Sequence, residues 1–240
     1  MKRFFILTLV VMLFAGCCIA DNSYEKSRID SLLSLPGVSR DDLGGNMAFF
    51  AEALSGSPSD SYYHTDSVAV LRLNTRSFTP MTFINTVGAL SRASLNNSRP
   101  TWRDFSRELT TLSCRRGTDM GFPSLMWHAS DWISDNIYRG NVKELTENFP
   151  GTIEKTKSLD YLTRHRDEYR ALADSATYEK VRMIEMGFRT HRVPLLKKEH
   201  IGKKEVVEEL RPGDIIILNP QEDGIDIRVI GVVVGREDGL

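Results

Sequence analysis

The chain has 240 residues, of which 41% are hydrophobic and 26% are charged, and its formal net charge is −1. This length predicts one domain behind a leader, and the balanced charge excludes a nucleic-acid binder that works through bulk basicity. A mean hydropathy of −0.27 excludes a polytopic membrane protein, while the apolar content is too high for a disordered chain. Three cysteines are too few for a disulfide framework.

The first residues have the pattern of an export signal. Two cations at the start precede an apolar run over residues 4–14, which is too short for a stable bilayer anchor. Small residues directly before Cys17 resemble a bacterial lipobox. They predict a signal peptide over residues 1–16 and Cys17 as the lipid attachment site. Ordinary cleavage after Ala20 is the alternative, because small residues also precede that position.

The remaining elements are predicted in chain order from hydrophobic spacing and turn signals. Residues 17–40 are predicted as a tether with room for one short helix, and residues 41–240 as the folded domain. Helices are predicted at about residues 47–54, 79–95, 102–112, 130–138 and, broken near 174–175, 159–186. Strands are predicted at residues 67–73, 142–145, 213–218 and 225–234, and residues 192–195 are predicted as extended. Helices first and strands last predict an α+β fold.

Several segments between residues 50 and 240 match one family in order. They are residues 54–58, 71–74, 82–87, 123–124, 130–136, 159–165, 192–194, 210–216, 224–227 and 231–232. Together they resemble the bacterial N-acetylmuramoyl-L-alanine amidases of the NlpC-like, papain-related superfamily. The resemblance implies that N-terminal helices pack on a C-terminal antiparallel sheet. It also implies an activity that cleaves the bond between muramic acid and the stem peptide of cell-wall fragments.

The residues that carry the chemistry of this family are replaced. The family nucleophile is a cysteine in an Asp-Cys-Thr-Thr-Phe motif, at a helix start that lowers the thiol pKa. Residues 79–83 read Thr-Pro-Met-Thr-Phe, so the nucleophile position is Pro80. The family base is the histidine of Gly-Leu-Asp-Val-Ser-His-Val-Gly, and that position is Val229. Neighbouring Arg228 would face the other side of a strand, and guanidinium is no base near neutral pH.

Four residues are candidates for ligand binding, because they lie in the family's substrate loop or just after it. They are Ser124, Trp127, His128 and Asp131. The loop over residues 124–128 reads Ser-Leu-Met-Trp-His, where relatives have Ser-Arg-Leu-His-Tyr. A helix start capped by Ser130 and packed by Trp132 would explain the match at Asp131 without a function.

No metal or cofactor is predicted. The five histidines show no metal-ligand spacing. Cys114 is the one cysteine beyond the leader, and two arginines follow it, which would lower a thiol pKa. It matches no nucleophile position, however, and a buried thiol is the expectation.

The predicted function is an exported, non-catalytic homologue of the amidase that binds a peptidoglycan fragment or a protein partner. Its predicted location is the periplasm or the surface of a Gram-negative-type bacterium, with a membrane contact through the lipid anchor and no nucleic-acid partner. One alternative is an active cell-wall amidase with relocated catalytic residues, for instance through Cys114 or His128. Another is a decaying gene product that folds poorly, because the sheet is expected to lack the family's last strands.

Overall fold

The computed structural model describes residues 23–59, 73–96, 98–222 and 224–235. The predicted signal peptide, Cys17 and nearly all of the predicted strand 67–73 lie outside the described residues. The α-helices within them are α1 (Ser23–Leu33), α2 (Leu43–Ala53), α3 (Pro80–Asn96), α4 (Trp102–Ser113), α5 (Ala129–Tyr138), α6 (Tyr161–Arg164), α7 (Ser175–Gly187) and α8 (Lys204–Val207). The strands are β1 (Thr152–Thr156), β2 (Arg192–Leu196), β3 (Ile215–Leu218) and β4 (Val229–Val232). No helix of the described residues is long and apolar enough to cross a bilayer.

The four N-terminal helices build the main hydrophobic core. Helix α3 packs against both α2 and α4, and α1 lies against α3 and α4. Phe50 of α2, Leu90 of α3 and Phe105 of α4 are completely buried in this core. Full burial of a side chain of this size stabilises a fold by about 2 kcal/mol, so the apolar faces of these helices account for their packing.

Helix α1 occupies residues 23–33 of the span that was predicted as a tether with room for one short helix. Its side chains in the main core are Ile29, Leu32 and Leu33. The buried carboxylate of Glu25 accepts hydrogen bonds from the backbone N–H (3.0 Å) and the hydroxyl (2.6 Å) of Thr75. Asp30 accepts from the N–H of Trp102, the first residue of α4, at 2.8 Å. Residues 23–33 are therefore an integral part of the domain.

The strands form two separate antiparallel pairs within the described residues. In one pair Thr152 lies opposite Leu196, and in the other Ile215 lies opposite Val232. The β3–β4 pair packs on the main core and β4 lies against α2 and α3, which confirms a mixed fold of helices with a small sheet.

Two strand predictions need correction, and one strand was missed. Residues 142–145 form no strand, and β1 occupies 152–156, which the sequence pattern did not indicate. The predicted strand 225–234 pairs only over β4, and its first residues form a buried loop.

A second, smaller core lies beneath the loop of residues 118–128. Its buried members are Phe122, Leu162, Tyr169, Leu172 and Val181. The predicted break near residues 174–175 is confirmed, because α7 begins there and the Asp174 carboxylate accepts from Thr177 N–H at 2.8 Å. Before that break, the predicted helix from residue 159 is mostly replaced by the short helix α6 and two 3₁₀ turns.

Candidate functional site

The two positions that the sequence analysis assigned to the family's nucleophile and base lie on neighbouring elements. Pro80 is the first residue of α3 and Val229 is the first residue of β4, and these two elements pack against each other. Val229 is 49% exposed and lies opposite Leu218, which is also exposed. An open apolar pair therefore occupies the position that the sequence analysis assigned to the family base.

The start of α3 is closed by its own side chains. The Thr82 N–H donates to Thr79 Oγ1 at 3.2 Å, and the Thr79 N–H donates to Thr82 Oγ1 at 2.8 Å. This reciprocal arrangement satisfies backbone donors at the helix start, as a capping box does. Pro80 fits the first helical position because it has no N–H to satisfy. The sequence prediction of this helix start is confirmed.

Two of the predicted ligand-binding residues have local structural roles. The Ser124 hydroxyl donates to Gly121 O at 2.7 Å and accepts from Met120 N–H at 2.9 Å, so it closes a turn. The Trp127 ring packs against Phe122 and Tyr169, with centroid distances of 4.9 and 6.0 Å. Both side chains therefore shape the 118–128 loop, and the contacts they make there are not available to a ligand.

Asp131 is buried in an ion pair that the sequence did not predict. Both of its carboxylate oxygens accept from the terminal nitrogens of Arg115, which lies in the turn after α4. Burial raises the pKa of Asp131 above its ordinary value, and the neighbouring guanidinium of Arg115 acts against that rise. This bidentate pair ties α5 to the end of α4.

His128 lies between two further buried carboxylates. Its Nε2 is 3.0 Å from Glu185 Oε1, its Nδ1 is 3.9 Å from Asp226 Oδ1, and its side chain is 3% exposed. Burial alone would lower the pKa of His128. The hydrogen bond to Glu185 and the negative charges of Asp226, Glu185 and Asp131 outweigh burial, so the pKa is raised above 6.5.

Asp226 closes the start of α5 from a distant part of the chain. Its two oxygens accept from the N–H groups of Ala129 (2.9 Å) and Ser130 (2.6 Å). The prediction that Ser130 caps this helix was therefore wrong, because the cap position is His128 and the acceptor is Asp226. A negative charge at a helix N-terminus is favourable, since it faces unpaired N–H groups.

Glu185 does the same for α6. Its oxygens accept from the N–H groups of Leu162 (2.9 Å) and Thr163 (3.2 Å), and from the Thr163 hydroxyl (2.6 Å). Glu185 therefore links His128 to the start of α6 by hydrogen bonds, and Asp226 places its charge at the start of α5, 3.9 Å from His128 Nδ1. We call the group Arg115, His128, Asp131, Glu185 and Asp226 the His128 cluster.

Gly224 allows the segment that carries Asp226 to lie close against α6. Gly224 has φ +88° and accepts from Tyr161 N–H at 3.3 Å. A Cβ at this position would lie 2.8 Å from Asp160 Oδ1, closer than atoms of a side chain normally approach. Glycine is required here both by the left-handed backbone and by the close packing.

The space beside the His128 cluster is small. A crevice of about 10 Å³ is lined by Arg115, Trp127, His128, Asp131 and Glu185 together with apolar neighbours, and it has room for about one water molecule. A larger groove of about 600 Å³ runs along α1, is lined by polar residues of that helix, and shares no lining residue with the cluster. Neither space is an enclosed apolar pocket of the kind that takes a small organic ligand.

Cys114 is placed away from solvent. Its side chain is 0% exposed, and its N–H closes the end of α4 by donating to Thr110 O at 3.0 Å. A thiol in this position cannot meet a substrate unless the helix end opens. Among the described residues, no group of three or more histidine, cysteine or carboxylate side chains could hold a metal ion.

Sequence reasoning missed Arg115, Glu185 and Asp226 as members of one cluster. Asp226 belongs to a segment that matches the family, which was a usable signal, although its partner α5 lies about a hundred residues earlier in the chain. Glu185 is one of many charged residues in a polar helix, and nothing in its neighbourhood marks it as buried.

The comparisons with known proteins give the class of the chain. The AmiA-like family model, described as N-acetylmuramoyl-L-alanine amidase-like, matches residues 50–240. Because this match covers most of the chain, the protein belongs to the AmiA-like family. No curated protein matches the sequence as a relative.

Solved structures agree on the fold. An N-acetylmuramoyl-L-alanine amidase from Bacteroides uniformis has a TM-score of 0.71 at 20% identity, with 82% of each chain covered. A Bacteroides fragilis protein described as a candidate xylanase has a TM-score of 0.66 at 21% identity, with 76% of this chain and 79% of that chain covered. A Legionella pneumophila protein has a TM-score of 0.64 at 15% identity, with 90% of this chain and 81% of that chain covered. At these identities the likeness shows the fold alone.

Proposed function

We propose that this protein is a non-catalytic member of the AmiA-like family. The observation that carries the proposal is the joint replacement at two packed elements, with Pro80 at the start of α3 and Val229 at the start of β4. Thiol-based acyl transfer needs a thiolate and a base within hydrogen-bond reach of it. Proline and valine supply neither group.

The surroundings of Pro80 support the same proposal. At the start of a helix, free N–H groups and the helix dipole stabilise a thiolate. Here Thr79 and Thr82 use such donors for each other. The helix start has thus become a purely structural one.

The alternative of an active amidase that uses other catalytic residues is less well supported. Cys114 is completely buried, so a substrate carbonyl has no access to its sulfur. His128 is also buried, and its Nε2 is engaged with the Glu185 carboxylate, which leaves that nitrogen unavailable to a nucleophile. The two residues named for this alternative lack the exposure that catalysis requires.

We propose binding as the retained role. The crevice at the former substrate loop has room for about one water molecule, which is too small for a muropeptide. The apolar pair Val229 and Leu218 is open to solvent, so recognition would use the outer surface of the β3–β4 pair. A peptidoglycan fragment or a protein partner would be held there without being cleaved.

We also propose an NlpC-like, papain-related arrangement and export. The NlpC-like arrangement is supported by α3, which begins at the assigned nucleophile position and packs on β4, the strand of the assigned base position. The apolar run before Cys17 supports export and a lipid anchor in the cell envelope.

The test is a gain-of-function assay. Purified protein incubated with anhydro-muropeptides should release no stem peptide above a heat-killed control. The Pro80→Cys/Val229→His double variant restores both groups at packed positions, and each single variant is its matched control. Release by the wild-type chain would refute the proposal, and release by the double variant alone would show that these two positions suppress the activity.

A further inference from the structure

His128 is the point at which three segments of the chain meet. It ends the 118–128 loop, contacts Glu185 of α7 at 3.0 Å, and faces Asp226 of the segment before β4 at 3.9 Å. The loop and α7 are otherwise joined mainly by apolar side chains of the smaller core. The His128 ring therefore adds a polar contact from the end of the loop toward each of the other two segments.

The two carboxylates beside His128 each accept hydrogen bonds from a helix start. Asp226 accepts two backbone N–H bonds from α5, and Glu185 accepts two from α6 and one from a threonine hydroxyl. Since a carboxylate only accepts, Nε2 of His128 must carry a proton toward Glu185. A second proton on Nδ1 would face Asp226 and complete the link.

The charges around the ring favour the doubly protonated imidazole. Asp131, Glu185 and Asp226 contribute three negative charges, and Arg115 contributes one positive charge against Asp131. The other residues that line the crevice are uncharged. Tyr169, which also faces Glu185, stays neutral because burial raises the pKa of its phenol.

We propose that His128 is a protonation-operated clamp that fastens the 118–128 loop to α7 and to the segment of Asp226. With both nitrogens protonated, the ring joins Glu185 to Asp226 and the loop is closed. Loss of the Nδ1 proton leaves two buried carboxylates facing a neutral ring, and the loop is released. The clamp regulates the loop that carries Trp127 and does not depend on whether the protein is catalytic.

The direction of the pH dependence follows from the pKa of His128, which is raised in the folded chain above 6.5. The stabilisation is fully present below the unfolded value and is lost as the pH rises through the folded pKa. Release of one proton changes the equilibrium constant for unfolding by at most about tenfold per pH unit. The loop should therefore be tight below pH 6.5 and loosen above it.

The experiment combines thermal unfolding with hydrogen exchange between pH 5.5 and 9.5. The wild-type melting temperature should fall as the pH rises above 6.5, and exchange protection should fall in residues 118–128 after correction for the intrinsic rate. The His128→Gln variant keeps a donor toward Glu185 and should show no such step. His165→Gln is the matched control, because His165 lies outside the His128 cluster, and it should behave as the wild type does.

Identical pH profiles for the wild type and His128→Gln would overturn the proposal, and so would a stability change without any change in loop exchange. If His128→Gln does not fold, the NMR titration of the wild-type His128 ring replaces it. A midpoint above 6.5 that falls in Glu185→Gln supports the clamp, whereas a midpoint below 6.5 refutes it. None of these readouts involves amidase activity, so the outcome is separate from that of the proposed function.

Discussion

Asp226→Asn is the substitution that best tests how the end of the 118–128 loop and the start of α5 are held. The Asp226 carboxylate accepts two backbone N–H bonds at the start of α5, at 2.9 and 2.6 Å, and faces His128. Asparagine has nearly the same shape, but it offers one acceptor oxygen and turns an N–H₂ group toward the other donor. The change removes charge and leaves the volume of the site unaltered.

The expected loss follows from the two hydrogen bonds. A bond to a charged acceptor contributes about 1.5–3 kcal/mol and a neutral one about 0.5–1.5 kcal/mol. Two charged bonds give way to one neutral bond, so the expected loss is roughly 2–5 kcal/mol. That is a large share of the roughly 5–15 kcal/mol that stabilises a domain. Urea unfolding followed by tryptophan fluorescence and far-UV circular dichroism measures the change in the free energy of unfolding.

Asp42→Ala is the matched control. Asp42 also closes a helix start, since it accepts from Gly45 N–H at 2.8 Å, but it is exposed. Loss of an exposed cap costs about 1 kcal/mol. If Asp226→Asn costs no more than Asp42→Ala, the assignment of a buried, charge-assisted cap is wrong. A wild-type transition that is not cooperative would instead favour a poorly folding gene product.

The remaining predictions concern the cysteines. In the full chain with Cys17 and Cys18 replaced by serine, Cys114 should resist iodoacetamide at neutral pH and react after unfolding in urea; fast labelling of the native chain would revive a relocated nucleophile. Cys17→Ser should abolish incorporation of labelled palmitate and move the protein out of the membrane fraction, while Cys18→Ser should leave both unchanged. Palmitate labelling that survives in Cys17→Ser would contradict the lipobox interpretation.

Local signals explain which helices the sequence predicted well. The helix over residues 79–95 was predicted within one residue of α3, because Thr79 and Pro80 mark its start and its apolar spacing runs without interruption. Strand β1 had no such signal. Its residues are mostly polar and exposed, so the alternation that identifies a half-buried strand is missing.

The packing of helix α1 on the main core was not predicted, for a related reason. Its surroundings in the sequence are polar, as in a tether, yet Glu25 and Asp30 find partners near residues 75 and 102. Whether a short amphipathic segment packs or stays in solvent depends on a complementary surface that lies far along the chain. Single-sequence patterns do not contain that surface.

The sequence by itself identified the residues on which the proposed loss of catalysis rests. Pro80 and Val229 stand at the positions that the resemblance assigns to the family's nucleophile and base, and neither side chain can act as a nucleophile or a base. Only the tertiary structure decided how the 118–128 loop is held, because Asp131, Glu185 and Asp226 look alike in the sequence. Folding brings all three to one buried histidine, where low dielectric and helix starts turn ordinary carboxylates into a coupled cluster.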